Sequence, residues 1–347
     1  MKKKNSIAKR KIVNIQNNKK SKINKIYLRF KKNLSLNSKD KIFCIGVSGG
    51  PDSLALAYLS KLYSKEFKIR FLALIVDHKL RKNSSIEAKK VQKLLNKQKI
   101  KNKILSWKGK IPQSNIQANA RIIRYNLMIK ECQRMRSTNL ILAHQEGDFI
   151  ENFFIRLFRG SGLKGLSSLE LNNIVDNKNI NLLRPLLDEK KEDLASISEA
   201  IFKNYFLDPT NFKEKYLRTK IRNYIKKFEK DGLDERKIKM TIKNLQIANN
   251  SLEHYKNLSK KKYIRKLSNG LSIVSTNIFL SEPDETVFRT FGEILKEVSG
   301  KYYPPRGKDL VNLIKKAQNK NFIKATLGGC IIERVHDSLL IKKELKI

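Results

Sequence analysis

Negative charge is scarce in this chain. Its 347 residues hold 32 Asp and Glu against 75 Lys and Arg, a net charge of +43, and no acidic residue precedes Asp40. A field of that sign draws in polyanions, nucleic acid first and an anionic membrane surface second. Richness in Lys, Asn and Ile together also fits a compositional bias, so the charge permits RNA binding without requiring it. Cysteine is equally sparse. Cys44, Cys132 and Cys330 are scattered in apolar contexts with no CxxC pair, which excludes the usual zinc and iron–sulfur spacings and points to a reducing compartment. No apolar run approaches the roughly 20 residues of a membrane-spanning helix, and no apolar segment follows the basic start as it does in a secretory signal. The expected location is the cytoplasm, with no membrane partner. The Walker motif GxxxxGK[ST] is absent too.

What the chain has in their place is Ile42–Leu59, IFCIGVSGGPDSLALAYL. An apolar run stops at the short loop SGGPDS, and a second apolar run follows at helical spacing: strand, tight turn, helix. Gly49 and Gly50 let the backbone take positive φ and approach a ligand closely. Pro51 suits a first helical turn. The helix N-terminus then offers a seat for a phosphate-type anion, with Ser48 and Ser53 adding hydroxyls. Asp52 is out of place beside a phosphate unless a metal ion or a ligand donor offsets its charge.

From Lys41 strands alternate with helices. Strands are expected at 42–47, 69–76, 103–107, 139–143 and 182–187, with helices over 83–98, 115–135, 148–158 and 188–205. Near-continuous apolar strands in this order imply a parallel sheet with helices on both faces, whose ligands bind at the carboxyl ends of the strands. Three polar clusters fall there: SGGPDS, Asp77–Arg81 (DHKLR) and Ala143–Asp148 (AHQEGD). Beyond them, RGSGLKGL (Arg159–Leu166) joins three glycines to two cations, as a loop wrapping a phosphate backbone does. The expected organisation is a basic disordered arm (1–22), an α/β catalytic domain (23–212), a basic helical domain (213–268) and a small α+β domain (269–347). In the last, helices are expected over 285–298 and 308–316 and strands over 271–280, 323–327, 331–334 and 338–342. The helix before them is expected to run over 234–265.

Taken together the motifs resemble the tRNA(Ile)-lysidine synthetase family, within the N-type (PP-loop) ATP pyrophosphatases. The strings are VSGGPDS (Val47–Ser53), VDHKLR (Val76–Arg81), ANARIIRY (Ala118–Tyr125), AHQEGDFIEN (Ala143–Asn152), RLFRGSGLKGL (Arg156–Leu166), RPLL (Arg184–Leu187), DPTN (Asp208–Asn211) and RTKIRN (Arg218–Asn223), in family order. YYPPRG (Tyr302–Gly307) and TLGGC (Thr326–Cys330) resemble the family's tail. The chain departs from the family's AHxxDDQxET at Gly147, at Phe149–Ile150 and at Asn152, while Asp148 and Glu151 match; Thr219 stands where the last motif often has Asn.

The resemblance implies a ligase. ATP adenylates the carbonyl oxygen of the wobble cytidine in the CAU anticodon of tRNA(Ile), and L-lysine then displaces AMP to give lysidine. It implies ATP binding by Ser48, Gly49, Gly50, Pro51, Asp52, Ser53 and Asp77, and Mg²⁺ on Asp52 and Asp148. Lysine goes to Asp148 and Glu151, three apart on one helical face, and His144 and Arg124 join Asp52, Asp148 and Glu151 in catalysis. Arg81, Arg121, Arg159, Lys164, Arg218 and Arg222 take the tRNA. The protein is expected to be a monomer or homodimer. The alternatives are another PP-loop enzyme such as a tRNA thiolase, against which the missing CxxC counts, and a non-catalytic basic RNA-binding protein.

Overall fold

A computed structural model describes residues 21–34, 36, 41–79, 83–109, 116–167, 172–175, 180–206, 217–268, 270–301 and 304–344. Arg81, the DPTN string and residues 1–20 of the expected arm lie outside them; Ser21 and Lys22 already belong to the first helix. The described residues fall into two compact units, one ending at Ile242 and one beginning at Lys243. The stretch 213–268 is therefore divided between them.

The first unit contains α1 (21–33), β1 (Ile42–Gly46), α2 (Pro51–Phe67), β2 (Arg70–Asp77), α3 (Ser84–Lys97), β3 (Asn102–Ser106), α4 (Ile116–Arg134), β4 (Asn139–Ile141), α5 (Glu146–Leu157), α6 (Leu163–Leu166), β5 (Asn172–Val175), β6 (Ile180–Leu183), α7 (Lys191–Phe202) and α8 (Leu217–Lys230). It also holds the start of α9 (Glu235–Tyr263). The sheet runs β3-β2-β1-β4-β6-β5. Every neighbouring pair is parallel except β5–β6. The fold is the expected α/β sheet plus one antiparallel edge strand. That strand escaped the sequence reading because Asn172-Asn173 breaks the apolar run by which a strand covered on both faces is recognised.

Alternation along β1 shows the two covered faces. Phe43 and Ile45 pack with α1, α2, α3 and α7, while Cys44 packs with Tyr125, Met128 and Cys132 of α4. Ile26, Phe30 and Leu34, one helical turn apart, place the buried stripe of α1 in the first of these cores. Burial of each such side chain contributes about 1.5–3 kcal/mol. A further cluster joins Phe149 and Ile150 of α5 to Ile221 and Ile225 of α8 and to Ile238 and Ile242 of α9. This apolar contact is why α8 and the start of α9 belong with the sheet. The chain leaves β1 toward β2 on one side and returns to β4 on the other, so the loops after β1 and β4 flank the point where strand order reverses.

The second unit carries the remainder of α9, β7 (Ile264–Ser268), β8 (Leu271–Ser275), α10 (Ile278–Ser281), α11 (Asp284–Ser299), α12 (Gly307–Gln318), β9 (Lys324–Leu327), β10 (Cys330–Val335) and β11 (Ser338–Lys343). Its antiparallel sheet runs β7-β8-β11-β10-β9, and Val287, Phe291, Ile294, Leu295 and Val298 of α11 share its core. Two boundaries differ from expectation. The strand expected through Leu280 ends at Ser275, because the Thr276 amide turns to the Asp337 carbonyl (3.0 Å) and α10 follows. The helix expected through Arg265 ends at Tyr263, because Ile264–Ser268 pairs with β8.

The β1–α2 connection is held by its own backbone. Gly49 sits at φ +89°, and a Cβ there would meet Val91 Cγ2 at 2.4 Å. Gly50 caps α2 in extended conformation with Pro51 behind it, so no side chain covers the helix end. The Phe206 amide closes the loop by donating to the Gly49 carbonyl (2.9 Å). Gly49→Ala is expected to lower stability by about 1–3 kcal/mol through clash and backbone strain, read as a lower urea midpoint with an unchanged slope.

Candidate active site

The loop after β1 and the first turn of α5 supply the acidic side of the site. Ser53, buried at the start of α2, organises the loop from inside. Its Oγ accepts from the amides of Ser48 (3.2 Å) and Gly49 (3.1 Å), lies 3.2 Å from Ser48 Oγ, and donates to the Gly50 carbonyl (2.9 Å). Ser53 thus holds the anion seat in shape, and its hydroxyl is already engaged. Asp52 is different. Its Oδ1 is buried with no hydrogen-bond partner. Burial first, and then the charges of Asp148 and Glu151, push its carboxyl up to about 7 against the pull of Lys191 and Arg222.

α5 begins with a reciprocal cap. Gln145 Oε1 accepts from the Gly147 amide (2.6 Å), and the Gln145 amide donates to Asp148 Oδ2 (3.3 Å). Asp148 is therefore an N-terminal helical carboxylate, its Oδ1 held by Arg218 Nη2. One turn on, buried Glu151 accepts from Arg218 Nε through Oε2 (2.6 Å) and from Arg222 Nε through Oε1 (2.6 Å). Burial and the Glu151 charge push the Asp148 carboxyl up, against the pull of Arg218. The residues expected to bind lysine and two of those expected to bind tRNA are thus brought together as one ion-paired group, with Arg218 and Arg222 turned toward the carboxylates.

The basic wall comes from α4 and the end of β6. Arg184, buried just past β6, donates from Nε to His144 Nδ1 (3.2 Å). Burial and the cations Arg184, Arg121, Arg124 and Arg218 hold the imidazole well below its ordinary range. His144 is accordingly neutral with its proton on Nε2, a donor toward the site. Burial, Arg121 and Arg218 also lower the Arg124 guanidinium, which packs 5.9 Å from the Tyr125 ring. Arg121 lies 5.0 Å over the same ring and donates to the Tyr125 hydroxyl (3.2 Å).

Other expected residues stand apart. Asp77 is taken up locally: Oδ1 accepts from Ser84 Oγ (2.7 Å) and the Lys79 amide (3.1 Å), and Oδ2 from Ser85 Oγ (2.6 Å). Burial raises its carboxyl, but these bonds outweigh it and the net shift is downward. Asp77 thus ties the end of β2 to the first two side chains of α3. Arg159 is exposed past the end of α5, and Lys164 is exposed on α6. Arg184 and Gln145 were missed by the sequence reading. The signal for Arg184 was available, since a cation immediately after a strand of a parallel sheet stands at the ligand edge; that for Gln145, a glutamine cap, was weak.

The chain has matches among known proteins. A family described as a PP-loop domain matches residues 16–229. A tRNA(Ile)-lysidine synthase from Orientia tsutsugamushi (strain Boryong) is 33% identical over 312 residues, covering 86% of this chain and 69% of the relative. The chain belongs to the tRNA(Ile)-lysidine synthase family. A second member, from Wolbachia pipientis wMel, is 29% identical over 303 residues, covering 86% of this chain and 70% of its own. Among solved structures, a U34-tRNA thiolase from Methanococcus maripaludis with its [4Fe-4S] cluster superposes with TM-score 0.55 at 17% identity, over 67% of this chain and 80% of that one; this likeness concerns the fold.

Asp52 carries an electrostatic cost. The ordinary Asp carboxyl titrates near ~3.9, whereas that of folded Asp52 stands at about 7. Between these values the folded state keeps a proton that the unfolded state has lost, so stability falls as pH rises through that window and stays low above it. Asp52→Asn is expected to flatten this part of the profile and to be more stable than the parent at pH 8, measured by urea unfolding at pH 5 and pH 8. Arg184→Met removes a cation and a donor, so His144 is expected to titrate higher and to populate both tautomers, measured by ¹⁵N shifts of the imidazoles.

Proposed function

We propose that this chain ligates L-lysine to the wobble cytidine of the CAU-anticodon tRNA(Ile) at the expense of ATP, in the cytoplasm. The observation that carries the reading is the convergence of Asp52, Asp148 and Glu151 with Arg124, His144 and the glycine loop at one sheet edge, in a chain of this family. In the first step a bond forms between the cytidine carbonyl oxygen and the α-phosphorus of ATP, and pyrophosphate leaves. The start of α2, which no side chain caps, faces the departing charge. In the second step the lysine ε-nitrogen forms a bond to the activated ring carbon, AMP departs with the former carbonyl oxygen, and the nitrogen gives up a proton.

Each residue has a task in that sequence. Arg124, a guanidinium lowered by burial and by its neighbours, is offset when an anion arrives beside it. The Nε2–H of His144 donates to the activated oxygen or to a phosphate. Asp148 and Glu151 attract the lysine ammonium. Arg218, half-exposed while its carboxylate partners are largely covered, is the cation that yields when the substrate's charge arrives.

Mg²⁺ suits this donor set. Among the described residues no group of three or more His, Cys, Asp or Glu could hold a metal. Mg²⁺ commonly uses one or two carboxylates, completing its shell with water and substrate phosphates. Asp52, whose buried Oδ1 is unpartnered, and Asp148 would hold it. It would neutralise charge developing on the phosphates. The three cysteines are buried, and among the described residues no cluster of ligands accompanies them, which disfavours a thiolase-type cluster.

Incubation of unmodified tRNA(Ile) with labelled L-lysine is expected to give ATP-dependent labelling that disappears when the wobble cytidine is replaced by uridine. Labelling without ATP, or of the uridine control, would overturn the assignment. Asp148→Asn is expected to lower incorporation by roughly two orders of magnitude or more while tRNA affinity stays near that of the parent, which a filter-binding titration measures.

A further inference from the structure

α8 carries two kinds of group. Arg218 and Arg222 turn to the carboxylates, whereas Tyr224 and Phe228, one turn apart, stay 47% and 41% exposed. Phe158, at the end of α5, is 60% exposed. The Phe154 ring connects the two helices, with its centroid 6.4 Å from Phe158 and 6.5 Å from Phe228. Rings of this size are seldom left in water side by side without a use. Around them stand exposed Arg159, Lys220 and Lys227, and Lys220, Tyr224 and Phe228 follow at i, i+4 spacing on one face of the helix.

Rings interleaved with cations match one kind of occupant. A single-stranded nucleic acid presents free base faces to the rings and phosphates to the cations. A duplex does not, because its bases are already stacked on each other. A second copy of this chain would bring the same Lys and Arg residues against themselves. The position also fits. Phe228 lies about 9 Å along α8 from Arg222 at ~1.5 Å per residue, the rise of two to three stacked nucleotides at ~3.4 Å each.

We propose that Phe158, Tyr224 and Phe228 form a stacking platform for the unpaired anticodon-loop bases that flank the target cytidine, with Arg159, Lys220 and Lys227 on the adjoining phosphates. This rests on the reading of the chain as a tRNA(Ile)-lysidine synthase and adds to it the surface that receives the loop. The platform holds the neighbouring bases in a stack and leaves the cytidine to enter the site lined by Asp148 and Glu151.

The test is binding without turnover, on the full chain, with two probes of equal phosphate count: a hairpin with the seven-nucleotide anticodon loop and a blunt RNA duplex. The parent is expected to prefer the hairpin. Phe158→Ala and Phe228→Ala are each expected to weaken hairpin binding roughly tenfold, with duplex binding and the salt slope of hairpin binding unchanged because no charge is removed. Phe228→Trp, which keeps a π face, is expected to retain hairpin affinity, and Phe228→Leu, which keeps only the apolar surface, to lose it. 2-Aminopurine beside the target cytidine should be quenched by the parent and not by the double alanine variant. Hairpin affinity unchanged in that variant overturns the platform. So does equal loss on hairpin and duplex, or a parent that sediments as a dimer and a variant that sediments as a monomer with the same hairpin affinity. Neither ATP nor lysine is in the assay, so failure of lysine incorporation and failure of the platform are separate results.

Discussion

Three carboxylates gathered at the end of a parallel sheet repel one another, and the first unit is arranged to manage that repulsion. Asp148 and Glu151 are neutralised by Arg218 and Arg222, reaching across from a helix nearly 70 residues later in the chain. Among the described residues Asp52 Oδ1 receives no hydrogen-bond partner, and the carboxyl keeps a raised proton affinity. The price of leaving it unpaired is small if a cation arrives with substrate, because the same field that penalises the carboxylate attracts that cation. The site therefore rests in a state that substrate binding relieves.

The docking of α8 on α5 makes the neutralisation possible. Ile221 and Ile225 bury against Phe149 and Ile150, and this apolar contact sets the rotation of α8 that aims Arg218 and Arg222 inward. The same rotation leaves Tyr224 and Phe228 outward, continuous with Phe158. One helix thus joins the chemistry of the carboxylates to the surface proposed for the nucleic acid. Packing decides both, since a turn of the helix by one residue would bury the rings and expose the guanidiniums.

On the opposite side His144 is governed by its surroundings more than by its own nature. Four guanidiniums and burial keep it neutral, and the Arg184 donor selects its tautomer. A neutral imidazole among arginines adds no further positive charge to a site that must release pyrophosphate and AMP. Arg124 and Arg121, stacked on Tyr125, are held in place by the ring and remain open to an anion. Asp77 shows the reverse outcome. A carboxylate at a strand end is expected to meet the nucleotide, and three local donors occupy it in its place.

Much of this was legible in the residues. The glycine loop after β1, the polar cluster after β4 and the alternation of apolar runs with helical segments follow from local chemistry, which places φ > 0 at Gly49 and buried strands at Ile42–Gly46 and Arg70–Asp77. The antiparallel edge strand β5 was not legible, because its four residues lack the apolar run of the inner strands, and neither was the end of β8, which a bond to Asp337 more than 60 residues away terminates. By itself the sequence determined the sheet, the phosphate-binding turn and the identity of the charged groups at its edge, since strand burial and turn geometry are set within a few residues. Only the tertiary structure decided that Arg218 and Arg222 face the carboxylates, that Ser53 bonds within its own loop, that Arg184 holds His144 and that Asp52 Oδ1 is buried without a hydrogen-bond partner among the described residues. Those pairings depend on distances between elements far apart in the chain, which helix docking sets and no local pattern encodes.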